Sequence, residues 1–278
     1  MRLDAALVVR GLARSRGHAR DLIEHRAVRV GGEVAAKAAQ PVRDDDPVTV
    51  ETGPGALDAS WVSRAASKLL GAFEDLPEGG PRVEGRRAVD VGASTGGFTQ
   101  VLLRCGATQV VAVDVGHGQL APEVRDDPRV VDLSGHNVRG LSPADVGGAA
   151  DLLVADLSFI SLRLVIPGLV ELVHPGGDLL LLIKPQFEVG RRGLDGRGVV
   201  RTDAAQLDAV RAVLRCGLEE GLVVRGLVRS RTPGQDGNIE YVAWLTRPAG
   251  PVVGLSWQAV NESLDGLLAT RTPGGQRP

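Results

Sequence analysis

The sequence predicts an α/β protein in which a mostly parallel, doubly wound sheet is joined to a small N-terminal α+β domain. From about residue 60 to residue 247, apolar strand-like runs alternate with helical segments, as expected for a parallel sheet covered by helices on both faces. Before residue 53 the elements are shorter, and a stretch rich in glycine and proline follows them. We therefore expect a domain at 1–52, a linker at 53–62, a larger domain at 63–247 and a largely disordered tail at 248–278.

The N-terminal segment has the pattern of two short helices followed by short strands. Leu3, Leu7 and Leu12 recur at helical spacing, and Ser15 can cap a second helix. Residues 28–30 and 48–50 have the pattern of strands. Residues 1–40 carry eight basic and four acidic side chains, a net charge of +4, whereas the whole chain has −2. This asymmetry indicates an appended module that contacts phosphate groups.

The larger segment contains six apolar runs with the length and composition of buried strands. They are residues 88–91, 110–113, 152–155, 178–183, 222–228 and 241–245. The helical segments between them favour parallel connections. Residues 260–268 form one weakly amphipathic stretch inside the expected tail.

Composition is that of a soluble globular protein, with 43% hydrophobic and 24% charged residues. Cys105 and Cys216 fit no metal-ligand spacing and are expected to be reduced thiols of a cytoplasmic protein, so no metal site is predicted. Charged residues interrupt every apolar stretch near the N-terminus, and no run reaches the roughly 18 residues of a spanning helix. The sequence therefore predicts neither a signal peptide nor a membrane segment.

The most informative motif is the glycine-rich run at residues 88–99, in which a strand ends in a turn that opens a helix. Such a turn lets the backbone approach a ligand closely, and the helix start offers free N–H groups. A nucleotide-triphosphatase loop would need lysine where Phe98 stands, and Ala93-Ser94 breaks the dinucleotide fingerprint. What remains is a carboxylate-bearing nucleoside such as S-adenosylmethionine, with Asp114 at the end of the next strand placed to bind its ribose.

Three ionisable residues follow strands and are expected at one sheet edge: Asp114, Asp156 and Lys184. Asp156 has an alternative role as a helix N-cap, which Ser158 nearby would support. A lysine at the neighbouring strand end gives this acid a partner instead. Such a pair can hold a substrate hydroxyl and accept its proton.

Lysine is rare in this chain, with only Lys37, Lys68 and Lys184 among 32 basic residues. A lysine amine is compact and can lose its proton when buried, which an arginine guanidinium cannot do. Chance retention explains any one of them equally well. Lys184, however, ends an apolar strand, where an unpaired charge costs several kcal/mol, so its position favours a function.

Taken together, these motifs resemble the TlyA family of ribosomal-RNA ribose methyltransferases, which join an S4-like RNA-binding domain to a Rossmann-like, FtsJ-like methyltransferase domain. The similarity covers about residues 1–247. The matching stretches are residues 10–16, 61–64, 90–99, 155–161, 184–190 and 237–241.

The resemblance implies transfer of a methyl group from S-adenosyl-L-methionine to the 2′-OH of cytidine in ribosomal RNA within ribosomal subunits. It assigns a catalytic tetrad to Lys68, Asp156, Lys184 and Glu240. Glu240 has the alternative of an ordinary exposed strand acid. Cofactor binding is expected from Asp90, Gly92, Ala93, Ser94, Thr95, Gly96, Gly97, Phe98, Asp114, Asn137 and Asp156.

The S4-like module is expected to bind structured RNA through the basic residues Arg10, Arg14, Arg16, Arg20 and Lys37, and for Lys37 plain solvation is an equal alternative. No comparable basic cluster is expected in the catalytic domain, and no obligate protein partner is implied. Two alternatives stay open: a non-catalytic ribosome-binding factor, and a haemolysin-like membrane-active protein. Binding of S-adenosylmethionine separates both from a methyltransferase.

Overall fold

The computed structural model describes residues 1–13, 16–24, 27–50, 61–234, 237–250 and 254–269. The chain divides into two compact units, Met1–Arg64 and Ala65–Pro278. The predicted glycine- and proline-rich linker at 52–55 and the last residues of the tail, from 270, lie outside the described residues. Within the described ranges, no helix combines the length and the apolar character needed to cross a membrane.

The first unit packs two helices on a small antiparallel sheet, whose strand order is β2-β1-β3. Its elements are α1 (Leu3–Val9), α2 (Arg16–Glu24), β1 (Val28–Val30), β2 (Glu33–Val34) and β3 (Val48–Val50). Leu3 and Leu7 of α1 are fully buried with Leu22 and Ile23 of α2. The apolar spacing therefore predicted both helices, although α1 ends at Val9 and the partly buried Leu12 lies beyond it.

The second unit is a seven-stranded sheet with the strand order β6-β5-β4-β7-β8-β10-β9. Its first elements are α3 (Ala65–Asp75), β4 (Arg87–Val91), α4 (Gly97–Arg104), β5 (Gln109–Asp114), α5 (Pro122–Arg125), β6 (Val130–Ser134) and β7 (Ala150–Ala155). Its remaining elements are α6 (Ile166–Glu171), β8 (Val173–Ile183), α7 (Asp203–Glu219), β9 (Val223–Arg229), β10 (Tyr241–Thr246) and α8 (Trp257–Ala269). The α/β class and all six predicted strands are confirmed.

The sheet is mostly parallel, but β10 runs antiparallel to both of its neighbours, β8 and β9. The sequence alone did not predict this reversal, because an apolar run has the same pattern in either direction. The strand β6 was also missed. Its residues are only partly buried, and Asp132 interrupts the apolar run, as is common for a strand at the edge of a sheet.

The expectation of a largely disordered segment from residue 248 is wrong for its middle part. Helix α8 buries Val260 and Leu264, which are 1% and 0% exposed, in the main core. Arg211 of α7 donates hydrogen bonds to Asn261 and Asp265 on this helix. The apolar positions of α8 are few, so its periodicity was weak, yet their burial docks the helix.

One buried acid ties several parts of the sheet together at the edge opposite the ends of the parallel strands. The carboxylate of Asp178 in β8 accepts hydrogen bonds from Arg86 at 2.7 Å, from the Trp244 indole at 2.9 Å and from Thr246 at 2.7 Å. Asp178 is 6% exposed. Its charge is therefore balanced and its oxygens are satisfied within the fold.

Replacement of this acid should destabilise the whole second unit. We expect Asp178→Ala to lower the free energy of unfolding by about 3 kcal/mol, because it strands a partly buried guanidinium and two other donors. Thr246→Val, which removes only one of the three bonds, should cost about 1 kcal/mol. Urea unfolding followed by tryptophan fluorescence measures both, and equal losses in the two variants would contradict this role of Asp178.

Candidate active site and RNA-binding residues

The ends of the parallel strands bring several predicted site residues to one edge of the sheet. Val91 of β4 pairs in register with Val113 of β5 and with Ala155 of β7. The residues that follow, Asp114 and Asp156, therefore emerge at the same level. The strand order also reverses between β4 and β7, and ligands of open α/β sheets bind at such a switch point.

A cavity of about 420 Å³ opens at this switch point. This volume lies in the ordinary range for a small-molecule site. Five of the residues predicted to bind cofactor line it, namely Gly92, Ser94, Asp114, Asn137 and Asp156. Apolar side chains form much of the remaining wall, as a flat heterocyclic ring requires. They are Val91, Val113, Val115, Val138, Leu157 and Ile160.

The glycine-rich turn owes its shape to two glycines with different neighbours. Gly92 has a φ of +85°, and a Cβ there would stand 2.5 Å from the carbonyl oxygen of Asp156. Gly96 has a φ of +91°, and its Cβ would meet Val124 of α5 at 2.8 Å. The missing side chain at Gly92 thus lets the loop that contains Asp156 approach the glycine-rich turn, whereas the missing side chain at Gly96 lets α5 pack against the turn.

The other residues of the run contribute to the turn and to the start of α4 rather than to the cavity wall. Phe98 is 2% exposed and lies in the core. Ala93 is also buried, and Gly97 is the first residue of α4. Thr95 accepts a backbone hydrogen bond from Ala121. Their predicted contribution to cofactor binding is therefore through the backbone conformation that they adopt.

The carboxylate of Asp114 is held in place by backbone donors. One oxygen accepts a hydrogen bond from the Ser94 N–H and the other from the Gly116 N–H, both at 2.8 Å. Each carboxylate oxygen can accept a second hydrogen bond. Asp114 is therefore fixed at the cavity wall and can still accept hydrogen bonds from a ribose.

Asp90 lies beneath the glycine-rich turn and has no exposed surface. The Thr99 hydroxyl donates to one of its oxygens at 2.6 Å, and the other oxygen has no hydrogen-bond partner. Burial raises the pKa of Asp90 to about 7; the Thr99 hydrogen bond opposes this shift, and the nearby charge of Asp156 adds to it. A cation bound in the cavity would favour the ionised form of Asp90.

Lys184 lies at the end of β8 and forms an ion pair with Asp156. Its Nζ is 2.6 Å from Asp156 Oδ1, although this oxygen has no partner with the angles of a hydrogen bond. The same ammonium donates to the Ser158 hydroxyl at 2.8 Å. The two charged side chains are only 10% and 13% exposed. The alternative role of Asp156 as a helix cap finds no helix, because residues 156–158 are irregular.

Lys68 and Glu240 form a second buried pair, with Nζ 2.6 Å from Oε2. Lys68 projects from α3, and Glu240 immediately precedes β10. Because Tyr241 pairs with Ile183 of β8, the register places Glu240 beside Lys184. Glu240 is 2% exposed, so it is not the exposed strand acid that the sequence left as an alternative.

Gln186 contacts the second pair and was not singled out by sequence. Its amide donates to Glu240 Oε1 at 3.3 Å, and its own buried oxygen has no partner. Glu188 accepts hydrogen bonds from the Ser161 hydroxyl at 2.5 Å and the Leu162 N–H at 2.7 Å. It therefore joins the loop after β7 to the loop after β8. Both residues lie inside the 184–190 motif, which was the available signal.

Phe159 is a third residue of the site that was not singled out by sequence. It is 92% exposed and has a φ of +64°, an uncommon conformation for an aromatic residue. Its ring lies 5.3 Å from that of Phe187, whose face is 5.9 Å from the Lys184 ammonium. An exposed aromatic ring is thus held at the rim of the cavity.

The predicted RNA-binding residues of the N-terminal unit have different surroundings. Arg10 donates hydrogen bonds to the backbone carbonyls of Arg43, Asp44 and Asp46. Its guanidinium is therefore largely used in holding that turn. Lys37 is exposed, and Arg14 lies outside the described residues.

Arg16 and Arg20 are more than half exposed and lie within 4 Å of the carboxylate of Asp4. Arg2 also binds this carboxylate with two hydrogen bonds. Asp4 has no exposed surface because these arginines cover it, although it lies at the periphery of the unit. The Arg2 hydrogen bond lowers the pKa of Asp4 to about 2. The acid therefore stays ionised and holds the arginines together on one surface.

Family models match nearly the whole described chain. The FtsJ-like methyltransferase model matches residues 61–247, and the S4 domain model matches residues 1–48. The 16S/23S rRNA (cytidine-2′-O)-methyltransferase TlyA of Mycobacterium tuberculosis is 50% identical over 88% of this chain and 89% of its own length. The 23S rRNA (cytidine-2′-O)-methyltransferase TlyA of Campylobacter jejuni is 33% identical over 66% of this chain and 70% of its own.

Among solved structures, the hemolysin-named protein of Streptococcus thermophilus superposes with a TM-score of 0.72 and 31% identity, covering 97% of each chain. The chain is thus an S4-domain protein with an FtsJ-like methyltransferase domain, which is the class that its fold and cavity define. Within that class it belongs to the TlyA family.

The close approach at Gly92 yields a direct test of the cavity. Gly92→Ala should weaken binding of S-adenosylmethionine at least tenfold, because the new Cβ would displace the backbone of Asp156. Gly85→Ala is the matched control, since Gly85 also has a positive φ of +77° but has open space around it. Both variants carry about 1 kcal/mol of backbone strain. Calorimetric titration with equal affinities for the two variants would exclude the steric explanation.

Proposed function

We propose that this protein transfers a methyl group from S-adenosylmethionine to the 2′-OH of cytidine in ribosomal RNA. The observation that carries the proposal is the buried Lys184–Asp156 pair, in which Asp156 lines the cavity and Lys184 stands at its edge. The TlyA relatives named as cytidine-2′-O-methyltransferases support the choice of substrate.

The cavity residues fit the parts of S-adenosylmethionine. Asp114 can accept hydrogen bonds from ribose hydroxyls, and Asn137 lies beside the apolar wall where adenine would pack. Asp156 lines the cavity and Asp90 lies buried beneath the glycine-rich turn, so the two acids favour a ligand that carries a positive centre. When bound, this cofactor supplies a methyl group activated by a sulfonium leaving group.

The protein residues then have to orient the ribose hydroxyl and remove its proton. The Nζ of Lys184 can donate a hydrogen bond to the hydroxyl oxygen, and once its ammonium proton has passed to solvent the amine can accept the hydroxyl proton. Asp156 and Ser158 fix the position of this amine by their contacts at 2.6 and 2.8 Å. Precise alignment of the nucleophile is itself a large part of such catalysis.

The second pair completes the site. Lys68 neutralises Glu240, which orients Gln186 through a hydrogen bond of 3.3 Å. The exposed ring of Phe159 offers a surface on which the target base can stack once it leaves its helix.

The N-terminal unit supplies affinity for structured RNA under this proposal. Arg16 and Arg20, arranged around Asp4, and the exposed Lys37 would contact phosphates, which position a protein without reading sequence. The role of Arg14 stays a prediction from sequence. Arg10 contributes mainly by fixing the fold of its unit.

The proposal is tested most simply at Lys184. Lys184→Ala should lower the methylation rate by two to four orders of magnitude, about the contribution of a general base, while calorimetry shows cofactor binding within a few-fold of the parent. Lys184→Met, which keeps most of the length of the side chain without the amine, should fail equally. Lys184→Arg should also fail because guanidinium keeps its proton. Near-parental turnover of Lys184→Arg on ribosomal subunits would refute the role of a neutral amine.

The raised pKa of Asp90 predicts a pH effect on cofactor affinity. Below about pH 7 Asp90 is protonated. Because a cationic ligand favours the ionised carboxylate, its binding at low pH requires Asp90 to lose that proton. The affinity for S-adenosylmethionine should therefore rise about tenfold from pH 6 to pH 8. Asp90→Asn cannot ionise and should lose this increase. Ionisation of the cofactor itself affects both proteins equally. If calorimetry shows the same dependence of cofactor affinity on pH for the parent and for Asp90→Asn, the assignment of this effect to Asp90 is contradicted.

A further inference from the structure

The catalytic domain carries a basic surface of its own, which we call the arginine hairpin and define as residues 190–201. It contains Arg191, Arg192, Arg197 and Arg201, and its single acid is Asp195, so its net charge is +3. The expectation that this domain has no comparable basic cluster is therefore wrong. That expectation had weighed the charge of whole segments and overlooked a short local run.

The hairpin is a folded element with a defined base. Leu194 and Val200 form an antiparallel bridge, and Val199 and Val200 are buried. The Asp195 carboxylate accepts hydrogen bonds from the N–H groups of Arg197 and Val199 at 2.8 and 2.9 Å. These bonds lower the pKa of Asp195, so its charge serves to close the turn.

The guanidinium groups, by contrast, are available to a ligand. Arg191 and Arg192 are exposed, and within the described ranges their guanidinium groups make no hydrogen bond or ion pair. The side chain of Arg197 is 77% exposed, and its Nε lies 3.7 Å from Oδ2 of Asp195, which stands two residues earlier in the chain. Arg201 is exposed and donates one bond, from Nε to the Leu194 carbonyl, which leaves both Nη groups free of that contact.

The hairpin is anchored beside the catalytic pairs. It begins six residues after Lys184, beyond the short 3-10 turn Pro185–Phe187. At its far side, Asn238 donates to the Gly198 carbonyl at 3.1 Å and accepts from the Val200 N–H at 3.2 Å. Asn238 precedes Glu240 by two residues. Both ends of the hairpin are thus attached to segments that supply catalytic side chains.

We propose that the arginine hairpin binds backbone phosphates of ribosomal RNA next to the target nucleotide. This rests on the proposed function: because the hairpin is attached to the segments that carry Lys184 and Glu240, an RNA whose ribose reaches Lys184 would pass near it. Exposed guanidinium groups form bidentate hydrogen bonds with phosphate, and the positive charge of the hairpin is complementary to the negative charge of an RNA strand. The N-terminal unit would then bind RNA at one place, and the hairpin would position the strand at the active site.

The test compares the full-length protein with Arg191→Ala/Arg192→Ala. The matched control is Arg82→Ala/Arg104→Ala, which removes two exposed arginines near the opposite edge of the sheet. Binding to a protein-free rRNA fragment and to ribosomal subunits is titrated at 50 and 200 mM salt. Methylation of subunits gives kcat and KM, and calorimetry gives affinity for S-adenosylmethionine.

The hairpin variant should lose two phosphate contacts. The affinity lost between 50 and 200 mM salt should therefore be about tenfold smaller than in the parent, on protein-free rRNA and on subunits alike. KM for subunits should rise about tenfold at the higher salt, whereas cofactor affinity and the control variant stay at parental values. An altered salt dependence on subunits but not on protein-free rRNA would mean contact with ribosomal protein and would overturn the inference.

Parental KM and salt dependence in the hairpin variant would also overturn it, while the proposed function would stand. If the parent protein itself fails to methylate subunits, the proposed function fails first. The two failures are therefore distinguishable in one set of measurements.

Discussion

The arrangement of the active site depends on the ion pair between Lys184 and Asp156. Burying either charge alone would be strongly unfavourable, so each requires the other. Strand register brings them together, because β7 and β8 run parallel and end at one edge. The pair of Lys68 and Glu240 is attached to the same edge through the antiparallel register of β10. The relative positions of the two ion pairs are thus set by sheet topology, and the loops after the strands add further contacts to them.

The cavity below this pair is rich in negative charge, and the binding surfaces are positive. Asp90, Asp114 and Asp156 lie close enough for the latter two to raise the pKa of Asp90. This arrangement suits a cationic ligand and would oppose a phosphate there. Phosphate recognition is instead expected at Arg16 and Arg20 and at the arginine hairpin. A chain with a net charge of only −2 can thus carry one site that favours cations and other sites that favour anions, and the net charge alone does not reveal them.

The sequence predicted those features that depend on a residue's position along a strand. Asp114, Asp156 and Lys184 each follow an apolar run, so their common edge was predictable. Lys68 and Glu240 were placed in one site only by family resemblance, and their direct pairing was not predicted, since 172 positions separate them. The reversal of β10, the docking of α8 and the intramolecular bonds of Arg10 depend on tertiary contacts, which no local pattern encodes. Short runs such as residues 190–201 were overlooked because charge was counted over long segments.

The central claim is that the Lys184 edge acts on a ribose hydroxyl of cytidine. The most direct measurement is incubation of ribosomal subunits with the full-length protein and methyl-labelled S-adenosylmethionine, followed by digestion of the rRNA to nucleosides and chromatographic separation. The label should appear in 2′-O-methylcytidine. Label in a base-methylated nucleoside, or in the ribose of another nucleoside alone, would contradict it.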